Sequence, residues 1–434
     1  MQKHTLPLSR AFLTRRSVAR LSLGLVLGGI TAAAGARAQR GDGNEHWVAT
    51  WSTVVHQPEP VPGLTNPGFN NQTLRQIVHI SMGGEQVRLR LSTFGASGLV
   101  VGNAHIAISA GGAAIVPGSD RPLTFGGKPS VMIPPGAPVV SDPVELTAPD
   151  FANLAVSLFL PGATGPASWH FDARQTSYIS PAGDYTETTV MPLDPLASTT
   201  QSWFWLAGID VLAPQQSGAV AVLGDSITDG AQSTIDANRR WTDRLARRIL
   251  AQHDDHGMGV LNEGLDGNRL LHDGVGPNGL ARFERDVLAQ PGLAYVIVYF
   301  GYNDIGAGWP GGINPDQEVT VDQILQGYKQ LIARAHARGV TIYAATLTPV
   351  EGGFVPGTPF PVYSPGNEIK RQQVNQWVRT SGAFDGVIDF DAVLRDPHAP
   401  TRVLGRYDSS DHVHPNDAGY SAMADAIDLR LFSK

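Results

Sequence analysis

The periodicity of the sequence changes near residues 213–217, and this change constrains the fold more than any other feature. From about Trp47 to about Leu212, short segments such as Val87 to Leu91 alternate apolar and polar residues, and Gly and Pro clusters separate them. This pattern predicts an antiparallel β-sandwich of jelly-roll type over residues 45–212. The segments predicted to be strands include Thr73 to Ile80, Asn153 to Leu160 and Thr186 to Met191.

Downstream of Ser217 the sequence alternates short apolar runs with helical patterns. Trp241, Leu245 and Ile249 lie on one helix face, and Thr320 with Gln323 forms a capping box. Five such alternations predict a parallel, doubly wound α/β sheet of flavodoxin-like, three-layer type over residues 217–434. The predicted strands are 219–223, 258–261, 295–300, 340–345 and 387–390, and further helices are predicted over 368–378 and 416–431.

The first 38 residues have the composition of an export signal. They carry one Lys and five Arg with no acidic residue, an apolar stretch over 22–36, and Ala36-Arg37-Ala38 as a cleavage site. Thr14 to Val18 resembles a twin-arginine signal. We therefore expect a secreted or periplasmic protein without a stable membrane span after processing; an ordinary secretion signal and an uncleaved anchor are the alternatives.

Charge and cysteine content exclude several classes of function. The net charge of −7 would become −13 once six positive charges in the signal are removed, which argues against a nucleic-acid partner. The chain has no Cys, which excludes a thiol nucleophile, a disulfide scaffold and a Cys-ligated metal centre.

Polar clusters follow four of the predicted elements. They are Gly224 to Gly230, Asn262 to Asn268, Gly301 to Asp304, and Asp411 to Pro415. Ligands of doubly wound sheets bind outside the carboxyl ends of the strands. The sequence therefore predicts that these clusters converge on one site.

These clusters resemble the four motif blocks of the SGNH hydrolases, also called the GDSL esterase/lipase family. The resemblance covers roughly 217–434, with Ile227 where the family name has Leu, and the Trp47 to Ser52 opening resembles secreted members with an added N-terminal β domain. The positions that match the family's functional residues are Ser226, Gly267, Asn303, Asp411 and His414.

The chemistry of these residue types agrees with the roles that the resemblance implies. A Ser226 hydroxyl needs a base, and His414 offers a neutral imidazole near pH 7, so activity should fall below about pH 6. Asp411 is the candidate partner of the other ring nitrogen. The N–H groups of Ser226 and Gly267 and the amide of Asn303 are the candidate oxyanion donors.

Other interpretations of these residues remain open. Ser226 is a helix N-cap in one alternative, and Gly267 is only a turn glycine in another. His412 competes with His414 as the base, but as the direct neighbour of Asp411 it would point away from that carboxylate in an extended chain. Gly274 to Gly279 spells G-x-G-x-x-G without a preceding predicted strand, so it does not predict a dinucleotide site.

The sequence thus predicts a secreted serine esterase that hydrolyses carboxylic esters through an acyl-enzyme. Carbohydrate O-acetyl esters and other short-chain esters are candidate substrates, either small molecules or polysaccharides, and the scheme requires no metal or organic cofactor. Loops 307–318 and 352–365 are expected to shape the acyl pocket. The alternatives are acyl transfer to a sugar, and a non-catalytic carbohydrate-binding or cell-surface protein on a hydrolase scaffold.

Overall fold

Antiparallel strands make up the first part of the structure, a computed structural model that describes residues 45–57, 66, 68–95, 98–252, 257–355 and 357–433. The predicted signal segment lies outside the described residues. The strands are β1 (Glu45–Ser52), β2 (Gln72–His79), β3 (Gly84–Ser92), β4 (Leu99–Val101), β5 (Asn103–Gly111), β6 (Ala114–Ile115), β7 (Arg121–Pro122), β8 (Val131–Ile133), β9 (Pro138–Val140), β10 (Val144–Ala148), β11 (Asn153–Leu160), β12 (Trp169–His170), β13 (Ser177–Ala182), β14 (Thr199–Thr200), β15 (Trp203–Phe204) and β16 (Leu206–Pro214). We call β1–β16 and their loops the β region.

Two main sheets form the β region. One has the order β1-β16-β3-β10 with β9 beside β3, and the other has the order β14-β13-β2-β11-β5-β6 with β7 beside β5. Alternation along β3 buries Val87, Leu89 and Leu91, which share one core with the buried residues of β11. The prediction of an antiparallel β-rich region is confirmed, whereas its jelly-roll topology stays a prediction.

A parallel sheet with helices makes up the rest of the chain. Its elements are β17 (Gly218–Gly224), α1 (Ser226–Asp229), α2 (Trp241–Gln252), β18 (Met258–Gly264), α3 (Gly279–Arg282), β19 (Leu293–Tyr299), α4 (Tyr302–Ala307), α5 (Val321–His336), β20 (Thr341–Ala345), α6 (Pro365–Thr380), β21 (Gly386–Ile388), α7 (Phe390–Leu394) and α8 (Asp417–Asp425), with a π-helical turn over Phe283–Leu288 and a 3₁₀ turn over Leu429–Phe432. The strand order β18-β17-β19-β20-β21 is parallel throughout, which confirms the predicted doubly wound sheet.

The β region packs closely against the parallel sheet. The N–H of Ala49 donates to the Pro291 carbonyl at 3.0 Å, and the N–H of Val260 donates to Ser81 Oγ at 2.9 Å.

Two tryptophans of the β region, Trp51 and Trp203, contact each other edge to face, with ring centroids 5.0 Å apart, and both are buried. These tryptophans pack in the interior and do not offer a surface for stacking on sugar rings.

The predicted strand over Thr186 to Met191 is wrong. The Thr186 N–H and hydroxyl both donate to the Asp184 carboxylate, which forms a turn. The buried Arg75 guanidinium donates hydrogen bonds to the carbonyls of Tyr185, Thr186 and Thr188, at 3.4, 3.2 and 2.9 Å. Because these backbone acceptors bind an arginine, they are not available to a strand partner.

The last strand and the last α-helix are shorter than predicted. Asp389 caps α7 by accepting the N–H of Ala392, so the strand stops at Ile388 and does not reach Phe390. The last helix stops at Asp425, after which Asp428 caps a separate 3₁₀ turn. In the described part of the chain, none of the helices combines the length and the apolar character needed to cross a bilayer.

Candidate active site

Ser226 lies at a sharp turn between β17 and α1. Gly224 permits this turn, because a Cβ there would lie 2.1 Å from Thr228 Oγ1. The Asp225 carboxylate accepts the Ile227 N–H at 3.2 Å and caps the helix, and Gly230 ends it at a φ of 102°. The turn holds Ser226 at the carboxyl end of a central strand, with 6% of its surface exposed.

His414 lies beside this serine on the loop that precedes α8. The Ser226 hydroxyl is 2.8 Å from His414 Nε2, and His414 Nδ1 is 2.7 Å from Asp411 Oδ2. The other oxygen of Asp411 accepts the N–H groups of Val413 and His414, at 2.9 and 2.8 Å. Because a carboxylate only accepts, Nδ1 carries a proton and Nε2 is left to accept from the hydroxyl. The structure therefore brings together three of the predicted site residues in one hydrogen-bonded chain.

The electrostatics of the site favour a basic imidazole. Burial lowers the pKa of His414, but the hydrogen bond and charge of Asp411 outweigh it, together with the charges of Asp266 and Asp225, and the net pKa is raised above its ordinary value. Burial raises the pKa of Asp411, but its hydrogen bonds to His414 bring it well below its usual range. Burial raises the pKa of Asp225 to about 7 and that of Asp266 to about 6.

The loop after β18 carries Gly267 to the same sheet edge. Its φ of 72° favours glycine, and a Cβ at this position would lie 3.1 Å from Val275 Cγ2. The loop is bound to the serine turn by two backbone donors: the N–H of Leu265 reaches the Gly224 carbonyl at 3.3 Å, and the N–H of Asp266 reaches Asp229 Oδ2 at 3.1 Å.

Asn303 begins the neighbouring segment, in the first turn of α4. Its Nδ2 donates to the carbonyl of Asn268 at 3.0 Å, which links the third predicted block to the second. The adjacent Asp304 has a supporting role, because its carboxylate accepts the N–H groups of Leu270 and Leu271 at 2.7 and 2.9 Å. The blocks predicted to converge therefore do so, through backbone and side-chain hydrogen bonds.

His412 is not the histidine that reaches Ser226. Its Nδ1 lies 2.6 Å from Asp408 Oδ2, and 55% of its side chain is exposed. The backbone of His412 is in the left-handed region, with a φ of 62°. The loop thus holds two separate histidine–aspartate pairs.

An open cleft adjoins this loop. The residues that line it include Phe354, Val355 and Pro359, together with Asp411 and His412. Gly352, Phe354, Val355 and residues 357–359 belong to a loop predicted to shape the acyl pocket, and they border the site. The other predicted loop starts at residue 307, where α4 ends.

Sequence reasoning missed two polar residues next to this site, His170 and Asp229. His170 Nε2 lies 2.9 Å from Asp229 Oδ1, and both residues are buried. Asp229 belongs to the Gly224 to Gly230 block, so its position in the sequence already indicated that it lies near the site. His170 is in the β region without any motif, and only the packing of β12 identifies it.

Residues 222–422 match the model of the GDSL-like lipase/acylhydrolase family. Among solved structures, the chain is similar to a putative lipolytic protein of the G-D-S-L family from Desulfitobacterium hafniense, with 21% identity, 48% of this chain and 97% of that chain covered, and a TM-score of 0.36. The chain is also similar to the M. smegmatis aryl esterase, with 19% identity, 48% of this chain and 96% of that chain covered, and a TM-score of 0.38. For a variant of an acetyl xylan esterase from Geobacillus stearothermophilus, the identity is 20%, the coverage is 49% of this chain and 94% of that chain, and the TM-score is 0.36. None of the curated proteins compared with the sequence matches it.

Proposed function

We propose that Ser226 is the nucleophile of this protein, which is a carboxylic ester hydrolase whose residues 222–422 match the model of the GDSL-like lipase/acylhydrolase family. The observation that carries this proposal is the unbroken chain of hydrogen bonds from Asp411 through His414 to Ser226, at 2.7 and 2.8 Å. This is the arrangement that activates a serine hydroxyl for attack.

In the proposed mechanism, Ser226 Oγ attacks the ester carbonyl while its proton moves to His414 Nε2. Asp411 stabilises the imidazolium that forms. When the tetrahedral intermediate collapses, His414 returns the proton to the departing alcohol, and an acyl-Ser226 ester remains. Water then attacks this ester with His414 as base, which releases the carboxylic acid and restores the hydroxyl.

The oxyanion of each intermediate is proposed to accept from the N–H groups of Ser226 and Gly267 and from the amide of Asn303. An amide nitrogen carries two hydrogens, so the bond from Asn303 to the Asn268 carbonyl leaves one N–H for the oxyanion. The bond to Asn268 also fixes the rotamer of Asn303, so the donor is oriented before the substrate binds.

The proposed substrates are short-chain carboxylic esters, among them O-acetyl esters of carbohydrates, and the proposed location is outside the cytoplasm. The basic, acid-free first 38 residues support export, by a twin-arginine route in our proposal. The apolar wall of Phe354, Val355 and Pro359 beside the triad supports an apolar acyl or alcohol group. No member of the triad is missing from the sequence, which favours an enzyme over a binding protein on a hydrolase scaffold.

A substrate screen tests this proposal. The full chain and its Ser226→Ala variant are assayed with p-nitrophenyl acetate, then with longer acyl chains and with acetylated polysaccharides. The expected result is Ser226-dependent release of product that is fastest for short acyl groups. Equal rates for the two proteins would contradict a serine esterase, and faster product formation with an added sugar acceptor would indicate acyl transfer.

The pH profile of the esterase should have its acidic limb above about pH 6.5, the ordinary pKa of histidine. His414 must be neutral to accept the serine proton, and the carboxylates of Asp411, Asp266 and Asp225 raise its pKa. Activity is therefore expected to fall as the pH drops through this raised value, and the acidic limb should lie above the value near pH 6 that the ordinary pKa predicts. The measurement is kcat/KM against pH, and a flat profile from about pH 5 to about pH 8 would contradict His414 as the base.

Replacing Asn303 with Ala is expected to lower kcat by about 10²–10³-fold, because one preorganised oxyanion donor is lost. KM should change little, since the donor acts mainly on charge that develops in the transition state. Steady-state kinetics with p-nitrophenyl acetate measure both constants. Asn103→Ala, which removes an amide that donates to Thr186 Oγ1 at 2.9 Å within the β region, is the control and should keep normal activity. A normal kcat in Asn303→Ala would remove Asn303 from the oxyanion hole.

A further inference from the structure

A buried histidine of the β region contacts the turn that carries the nucleophile. His170 lies on the short strand β12 with 1% of its surface exposed. Its Nε2 is 2.9 Å from Asp229 Oδ1, and its Nδ1 is 3.2 Å from the Val54 carbonyl. Asp229 is the last residue of α1, the helix that begins with Ser226. The contact therefore links the β region directly to the catalytic segment.

Both ring nitrogens of His170 face acceptors, which determines its charge. A carbonyl oxygen and a carboxylate oxygen only accept, so both nitrogens must donate and the ring is an imidazolium. Burial lowers the pKa of His170, but the charge and hydrogen bond of Asp229, with Asp172, outweigh it and raise the pKa overall. His170 and Asp229 thus form a buried ion pair, and removing one partner would leave the other charge unpaired.

The second oxygen of Asp229 carries this contact to the oxyanion loop. Asp229 Oδ2 accepts the N–H of Asp266 at 3.1 Å, and Asp266 directly precedes Gly267. The Asp229 carbonyl also accepts from Arg240 Nε at 3.1 Å, while another nitrogen of Arg240 donates to the Ala173 carbonyl of the β region. The Asp229 carboxylate therefore bridges the serine helix and the residue that precedes Gly267.

We propose that His170 is a positioning residue of the esterase, which holds Asp229 so that the Gly267 N–H is aimed at the oxyanion. The inference rests on the proposed function and deepens it. The β region then supplies part of the catalytic framework and is not an independent module. Small displacements of an oxyanion donor are costly, since a shift of about 1 Å can reduce a rate by about 10²-fold.

The test uses the full chain with His170→Gln and with Asp229→Asn, assayed with p-nitrophenyl acetate. Gln carries both of its N–H donors on one nitrogen, so it does not replace the two separate ring nitrogens of His170. Asn offers a single oxygen to the two donors that Asp229 binds. We expect kcat to fall by about 10–100-fold in each variant while KM stays within about threefold of wild type. His105→Gln is the matched control, because His105 is also buried and pairs with Asp120 at 2.8 Å within the β region. It should keep the wild-type kcat.

A double-mutant cycle separates positioning from a general loss of structure. If His170 acts through the oxyanion hole, Asn303→Ala should cost less in the His170→Gln background than in wild type, because both changes weaken the same interaction. Multiplicative effects would overturn the proposal, as would a kcat within twofold of wild type in folded His170→Gln and Asp229→Asn. Failure of both variants to fold, judged by circular dichroism, would make His170 a purely structural residue and also overturn it.

The same assays distinguish this proposal from the proposed function. A wild-type protein whose activity depends on Ser226, together with active His170 and Asp229 variants, would overturn the role of His170 alone. A wild-type protein without Ser226-dependent activity would instead overturn the esterase mechanism on which this role rests.

Discussion

Replacing Ser226 with Ala should reduce kcat for p-nitrophenyl acetate by about 10⁴–10⁶-fold, the largest effect that we expect from any single change. The variant loses the atom that forms the acyl-enzyme and leaves His414 Nε2 without the donor that lies 2.8 Å away. The remaining rate would come from the oxyanion donors alone, acting on a water molecule. Steady-state assays at high enzyme concentration measure the residual kcat.

Ser233→Ala is the matched control for this prediction. Ser233 is a buried serine on the segment that follows α1, so its replacement tests the general effect of removing a hydroxyl from this region. It should keep a kcat close to that of wild type. Residual activity above about one hundredth of wild type in Ser226→Ala would mean that another residue is the nucleophile.

Replacing Asp411 with Asn should reduce kcat by about 10³–10⁴-fold with Ser226 and His414 still present. Asp411 accepts from Nδ1 of His414 and from two backbone N–H groups, so it fixes both the tautomer and the loop. It also raises the pKa of His414, so the acidic limb of the pH profile should move to lower pH in the variant. Measurement of kcat and kcat/KM against pH gives both the loss of rate and the position of the acidic limb.

The control for Asp411 is Asp408→Asn, which breaks the other histidine–aspartate pair of this loop. Asp408 Oδ2 lies 2.6 Å from His412 Nδ1, whereas the hydroxyl of Ser226 is hydrogen-bonded to His414. If the assignment of roles is right, Asp408→Asn keeps most of the activity and leaves the limb unshifted. The reverse ranking of the two variants would assign the orienting carboxylate to Asp408 and the base to His412.

Local periodicity was enough to predict the parallel sheet and the position of the site. The apolar runs of β17 and β19 are buried on both faces, and apolar runs of this kind separated by helical patterns form parallel strands. Parallel strands bring their carboxyl ends to one edge, so the polar clusters that contain Ser226 and His414 could be placed together although 188 positions separate the two residues. The family resemblance then singled out these two residues within their clusters. His412, the alternative to His414 as the base, could also be disfavoured from sequence. It directly follows Asp411, and adjacent side chains of an extended chain point apart.

Long-range polar contacts were not predictable in the same way. Thr186 to Met191 looks like a strand by composition, but Arg75, which is distant in sequence, binds the carbonyls of its first residues. His170 has no motif around it, and its role depends on the packing of β12 against α1. Such contacts arise from tertiary structure, which a local pattern does not contain.

Covalent labelling of the full-length protein with a fluorophosphonate tests most directly whether a base-activated Ser226 is the nucleophile. Our account predicts a single adduct in the intact mass, located on Ser226 by peptide mapping. Labelling should be absent in Ser226→Ala and strongly slowed in His414→Ala. An adduct on any other residue, or equal labelling rates in wild type and His414→Ala, would contradict it.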